Sequence, residues 1–189
     1  MGLIDIASIS KGAKLILDKV PYNVVEANFF KPGKGNAVYT FRVKNLLTGT
    51  TLEKTYRGGE KLEAADITDV EMQFLYKDAN GFVFMDTTSF EQVTVTPEAV
   101  GDDKDFLLEN MNVGVTLWNS QPIALRLPTT IIVEIVYTEP AVKGDTQSRV
   151  MKPATINTGA EIKVPIFCAI GEKIILNTQT REYSGRAQK

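Results

Sequence analysis

Histidine is missing from this chain altogether, and cysteine occurs once, at Cys168. Without an imidazole there is no Ser-His-Asp triad, no Cys-His pair and no histidine-held metal. One thiol closes no disulfide within the chain and builds no zinc cluster. It lies in the apolar run Val164-Pro165-Ile166-Phe167-Cys168-Ala169-Ile170, where a small buried hydrophobe is the expected role. Long apolar runs are missing too: none approaches the roughly 20 residues that cross a bilayer. The first residues are interrupted by Asp5, Lys11 and Lys14, so no signal peptide is expected, and Ile6 stands where a myristoylation motif wants Ser or Thr. A cytoplasmic protein is the expectation, and a single free thiol fits a reducing compartment.

Phosphate-loop chemistry is equally thin. Gly33-Lys34-Gly35-Asn36-Ala37-Val38 imitates part of a dinucleotide loop, but the third glycine is missing and a strand pattern follows where a helix is needed. Asp102, Asp103 and Asp105 lack the glycine and closing glutamate of a calcium loop and read as a solvated helix start. No cofactor and no metal are expected. Helical patterns are scarce: residues 103–110 are the best candidate, capped by Asp102 or Asp103, with one further turn at Pro97-Glu98-Ala99.

What the chain does have is strand after strand. Runs of β-branched, aromatic or alternating residues recur at 14–18, 22–30, 37–43, 50–56, 71–76, 82–86, 91–95, 112–118, 123–127, 131–137, 161–167 and 173–177. Turn pairs such as Thr48-Gly49, Asn80-Gly81, Asn119-Ser120 and Thr158-Gly159 punctuate them. Short, evenly spaced strands predict an all-β protein of small closed barrels, which leave no open edge. Strand character fades around residues 58–66, and Pro128-Thr129-Thr130 separates two strand-rich blocks, so three units are expected: 1–64, 65–128 and 129–189. Charge divides along the same lines. Lys and Arg number ten against six Asp and Glu in the first unit, three against eleven in the second and eight against six in the third. Two basic ends point to phosphate at two separated places, and the acidic middle argues against one continuous nucleic-acid groove.

Lys31-Pro32-Gly33-Lys34-Gly35 joins two of the strand runs and reads as a hairpin tip. Pro32 fixes its own φ, and Gly33 and Gly35 permit positive φ on both sides of Lys34. Neither glycine can cover the lysine, whose ammonium is a compact charge with three donors. The same residues serve equally well as turn chemistry.

The tip is followed by Leu46-Leu47-Thr48-Gly49-Thr50 and Glu53-Lys54-Thr55, then Phe90-Glu91-Gln92, Val115-Thr116-Leu117-Trp118-Asn119 and Lys143-Gly144-Asp145-Thr146. Lys152-Pro153-Ala154-Thr155, Thr158-Gly159-Ala160, Val164-Pro165-Ile166-Phe167 and Ile170-Gly171-Glu172 complete the set. In that order, and over essentially the whole chain, these motifs resemble the bacterial elongation factor P family. The resemblance implies an SH3-like (KOW-type) barrel followed by two OB-type barrels, arranged as an L. It implies a monomeric, non-enzymatic translation factor that binds the ribosome between the peptidyl and exit sites and assists peptide-bond formation at consecutive prolines. Its partners would be ribosomal RNA of both subunits, peptidyl-tRNA, exit-site mRNA and an enzyme that modifies the tip lysine.

Residue by residue, Lys34 matches the lysine that many family members extend, for instance by β-lysylation. Gly33 and Gly35 match its flanking glycines, and Lys31 a basic residue at the loop base beside Pro32. Gly144, Asp145 and Thr146 match a loop that contacts mRNA; Tyr183 and Arg186 match residues facing small-subunit RNA. Arg42, Lys44, Lys54 and Arg57 are phosphate-contact candidates from charge and strand alternation alone, against the alternative of a solvated face. Asn36 stands where members that work unmodified tend to carry proline, and Thr180-Arg181-Glu182-Tyr183 lacks a usual glycine. Two rivals remain open. A general single-strand nucleic-acid binder would stack bases on Trp118, Phe82, Phe84 and Tyr76. A lysine-dependent enzyme would need Lys34 desolvated, and its glycine-rich surroundings do not supply that.

Overall fold

A computed structural model describes residues 2–140 and 150–187. The candidate mRNA loop Gly144-Asp145-Thr146 lies outside the described residues. Strands β1 (Leu3–Asp5), β2 (Lys14–Leu17), β3 (Val20–Phe30), β4 (Val38–Asn45), β5 (Thr51–Arg57) and β6 (Lys61–Ala64) form one sheet in the order β1-β6-β2-β3-β4-β5. Then β7 (Ile67–Lys77), β8 (Phe82–Asp86), β9 (Gln92–Val95), β10 (Asn112–Trp118) and β11 (Gln121–Arg126) form a second, ordered β11-β10-β7-β8-β9. Finally β12 (Thr130–Thr138), β13 (Met151–Ile156), β14 (Glu161–Pro165), β15 (Lys173–Asn177) and β16 (Glu182–Arg186) form a third, ordered β14-β13-β12-β15-β16. By packing the chain divides into two compact units, Met1–Val70 with Val115–Ala124, and Glu71–Gly114 with Leu125–Lys189.

Local chemistry sets the tight turns. Asp18-Lys19 joins β2 to β3 and Asn119-Ser120 joins β10 to β11, and all four residues have positive φ, between 47° and 66°. Two successive left-handed residues make the turn whose twist matches a β-hairpin, and Asn and Asp tolerate that region best. Alternation sets the cores. In β12, Ile131, Val133 and Ile135 are buried while Ile132 and Val136 face out. In the first sheet Leu15, Val24, Phe41 and Val43 close around Ile6.

The helix expected over 103–110 does not form. One α-helical turn, Pro97–Val100, is capped by Thr96, and a 3₁₀ stretch follows over Gly101–Phe106. Leu107 is already extended. The carbonyls that an α-helix would use are taken elsewhere: Arg181 donates to Asp102 O at 2.9 Å and Thr158 Oγ1 to Asp105 O at 2.6 Å. Phe106 is thereby turned into the core around Ile135 and Leu176, where burial outweighs weak helix propensity in a short segment. Strand also appears where none was expected. β6 pairs with β1 and β2 inside 58–66, and β13 and β16 complete the third sheet. Pro153 sits within β13, and its carbonyl accepts from Thr138 Oγ1 at 2.9 Å.

Candidate nucleic-acid interface

The tip belongs to the β3–β4 hairpin. These are long strands of 11 and 8 residues, paired from Tyr22↔Asn45 out to Phe30↔Val38. Residues 31–37 cross between them, and Gly58 N–H, donating to Ala37 O at 2.8 Å, ties the loop base to the end of β5. Lys31, Gly33, Lys34 and Gly35 are exposed and Pro32 is half-buried. Among the described residues Lys34 makes no ion pair, so its ammonium is free to meet an external anion. Only one of the two glycines uses its freedom: Gly35 has φ 126°, whereas Gly33 stays at negative φ with open space around it.

Register sorts the remaining cations onto two faces. A residue and its antiparallel partner share a face, and neighbours alternate. Ala27, Phe29, Tyr39, Phe41, Lys54 and Tyr56 share the inner face; Glu26, Asn28, Phe30, Arg42, Lys44, Glu53 and Arg57 share the outer one. Arg42 stands directly between Glu26 and Glu53, while Lys44 stands between Asn23 and Thr51. Lys54 is half-buried and lies 3.8 Å from Asp18. On that face burial, then the negative charge of Asp18 and Glu60, raises the Tyr56 hydroxyl above its ordinary range. The four strand cations are therefore not one patch. Arg57, opposite Val38, lies near the tip, Arg42 and Lys44 lie farther down, and Lys54 points the other way.

Two aromatics escaped the sequence reading as functional residues. Phe29 and Phe30 are 59% and 67% exposed, because the hairpin runs past the barrel it starts from. Phe29 packs on Tyr39 with ring centroids 4.9 Å apart, and Tyr39 continues to Phe41 at 6.5 Å. The adjacent pair Phe29-Phe30, with no polar residue between, was the available signal: alternation guarantees that one of two such neighbours faces outward.

In the third sheet, Tyr183 and Arg186 come together around Phe167. Tyr183 is half-buried and meets Phe167 edge-on at 6.5 Å; the Arg186 guanidinium lies 4.8 Å over the same ring and its Nε sits 2.5 Å from Glu172 Oε1. Burial raises the Tyr183 hydroxyl, so it is a neutral group at physiological pH. Burial and Glu172 push the Cys168 thiol up to about 11, which leaves it inert at neutral pH. In the second sheet, Phe82 and Phe84 are core, at 5% and 0% exposure, and Tyr76 alone of the expected stacking residues is exposed.

Three β-sheets in tandem, the first carrying an exposed lysine on a hairpin tip, define a small multi-domain all-β protein. The fold is shared with a eukaryotic translation initiation factor 5A from Methanococcus jannaschii at TM-score 0.56 and 20% identity, covering 67% of this chain and 94% of that one. It is shared too with an eIF-5A family protein from Naegleria fowleri at TM-score 0.54 and 15% identity, covering 67% and 98%. Residues 5–62 match the model of the elongation factor P KOW-like domain, 67–125 that of its OB domain and 131–186 that of its C-terminal domain. Elongation factor P from a Synechococcus strain is 46% identical, with 93% of this chain and 95% of that protein aligned. Elongation factor P 2 of Geobacter sulfurreducens is 43% identical over 97% and 98%. The chain belongs to the elongation factor P family. It is an all-β translation elongation factor with a KOW-like domain followed by OB domains, and its relatives are translation factors rather than enzymes.

Proposed function

We propose that this factor binds the ribosome between the peptidyl and exit sites and speeds peptide-bond formation at consecutive prolines. Lys34 would hold the acceptor end of the peptidyl-tRNA. The observation that carries this reading is the exposed lysine, in no ion pair among the described residues, at the end of an arm in which β3, β4 and β5 pair side by side. Proline is a poor and awkwardly shaped nucleophile. Restraining its partner removes orientational freedom that must otherwise be lost before reaction. A cation at that place bonds RNA phosphate without reading bases.

The reading includes extension of Lys34 by a modifying enzyme, which would carry amines beyond the reach of the hairpin. It includes RNA contacts from Lys31, Lys44 and Arg57, with Arg42 and Lys54 as weaker contributors, and from Tyr183 and Arg186 in the third sheet. An mRNA contact by Gly144-Asp145-Thr146, a cytoplasmic location, a monomeric state and boundaries near 64 and 128 belong to it as well. The general single-strand binder has less support, since Phe82 and Phe84 are core and their unit carries eleven acidic residues against three basic ones.

Reconstituted translation of two messages tests the function, one with a run of prolines and one without. Added factor relieves the stall at the run and leaves the other message unchanged; equal effects on both would remove the reading. Intact mass of the protein from its own host tests the modification, and a mass equal to the bare sequence would reject it.

A further inference from the structure

Beyond Val24 the β3 strand has a neighbour on one side only. Its pairing with β2 stops at Asn23, Val24 bonds to Gly12 and Ala13, and among the described residues the backbone of 25–30 has partners on β4 alone. A groove of about 760 Å³ runs along this open edge, within the range of clefts that bury a small ligand. Ile9, Ala27 and Phe41 supply apolar lining, Phe29 and Tyr39 form an aromatic wall, and exposed Lys11 stands at the rim. Glu26 also borders the groove, but its side chain belongs to the outer face, where Asn28 Nδ2 donates to its Oε1 at 3.3 Å.

We propose that this groove is a binding site for one unpaired nucleotide of the RNA that the Lys34 tip meets; the inference rests on the functional reading above. Each part of a nucleotide finds its complement. A base face packs on Phe29 and Tyr39, as aromatic walls accept any base. Its edge bonds to unpaired N–H and C=O groups of the open strand, which offer donors and acceptors in alternation. The phosphate meets Lys11, in a unit with ten cationic and six anionic side chains. That charge balance favours RNA over an extended peptide, the other occupant an open strand edge can take.

The test uses the full chain with a photoreactive benzophenone side chain at Ser10, which lines the groove, bound to ribosomes halted at consecutive prolines. Irradiation is expected to crosslink it to an unpaired RNA nucleotide. A crosslink to protein, or none from factor that is demonstrably bound, overturns the proposal. In the kinetic arm, Phe29→Ala is expected to raise the factor concentration for half-maximal acceleration about tenfold while keeping the maximal rate. Lys11→Gln is expected to lower the salt slope of binding by about one. Lys11 is exposed and its variant should keep the melting temperature, whereas Phe29→Ala gives up the packing on Tyr39 and should melt slightly lower, so both are compared well below the transition. If wild-type factor accelerates proline joining and both variants match it, the groove inference alone falls. If wild type fails to accelerate, the functional reading falls and takes the inference with it.

Discussion

The ring of Pro32 lies 3.7 Å from the point where a Cβ on Gly35 would stand, and Gly35 holds φ at 126°. The proline and the second glycine thus close the loop around Lys34 together, one by fixing its φ, the other by adopting a backbone that L side chains avoid. Gly35→Ala should strain the tip by about 1–3 kcal/mol, move Lys34 and lower activity at proline runs. Gly33→Ala, at negative φ in open space, should leave activity near wild type. Stall-relief assays on the two variants check the contrast; equal effects would mean the glycines are interchangeable.

Arg42 and Lys44 share the outer face of the arm but not the same surroundings. Arg42 has Glu26 and Glu53 as its direct cross-strand neighbours, and Lys44 has Asn23 and Thr51. Opposite charges facing each other in a sheet contribute about 0.2–1 kcal/mol per pair. Arg42→Ala should therefore lower thermal stability and change ribosome affinity little. Lys44→Ala should do the reverse, lowering affinity and its salt dependence. Melting curves and binding at two salt concentrations separate the two effects.

Gly81 ends the turn before β8 with φ 149°, and a Cβ there would collide with the Val95 carbonyl oxygen on the neighbouring strand. Backbone cannot yield as a side-chain end does. Gly81→Ala should destabilise the chain by roughly 2 kcal/mol or more, seen as a lower denaturation midpoint with no direct effect on the Lys34 tip.

Cys168 makes stability pH-dependent on the alkaline side. Burial and Glu172 raise its folded value from 9.0 to about 11, with Arg186 and Lys152 opposing. Between those values the unfolded thiol has lost its proton and the folded one keeps it. The unfolded state then binds fewer protons, and stability falls as pH rises through that window. Denaturation midpoints between pH 9 and 11 should decline more steeply in wild type than in Cys168→Ala. At pH 8 a thiol reagent should react only after unfolding.

Much of this was legible before any coordinates. Alternation in 37–43 gave a strand whose buried Phe41 and Val43 and exposed Arg42 the structure repeats, whereas 131–137 is apolar on both faces and gave a strand without its orientation. Asn119-Ser120 announced its turn through the residues that tolerate positive φ. The misses were tertiary. Lys61–Ala64 is short and charged, and became a strand by pairing with β1 and β2, distant in sequence, while Glu182–Arg186 is short and polar and became one by folding back on the preceding β15. The expected helix at 103–110 lost to Arg181 and Thr158, which claim its carbonyls from more than fifty residues away. At the site, the lysine tip was readable from Pro and Gly. The neutralising neighbours of Arg42 and the open edge beside Phe29 were not, since both depend on register.

The most direct test is the rate of a single peptidyl transfer on ribosomes carrying a Pro-Pro peptidyl-tRNA, with proline as acceptor, at saturating factor. Wild type should raise this rate and Lys34→Ala should lose the gain, a drop on the order of tenfold or more, while a proline-free control is unaffected by either. A Lys34→Ala factor that binds the ribosome and accelerates the step as well as wild type would contradict the proposed role of the tip amine.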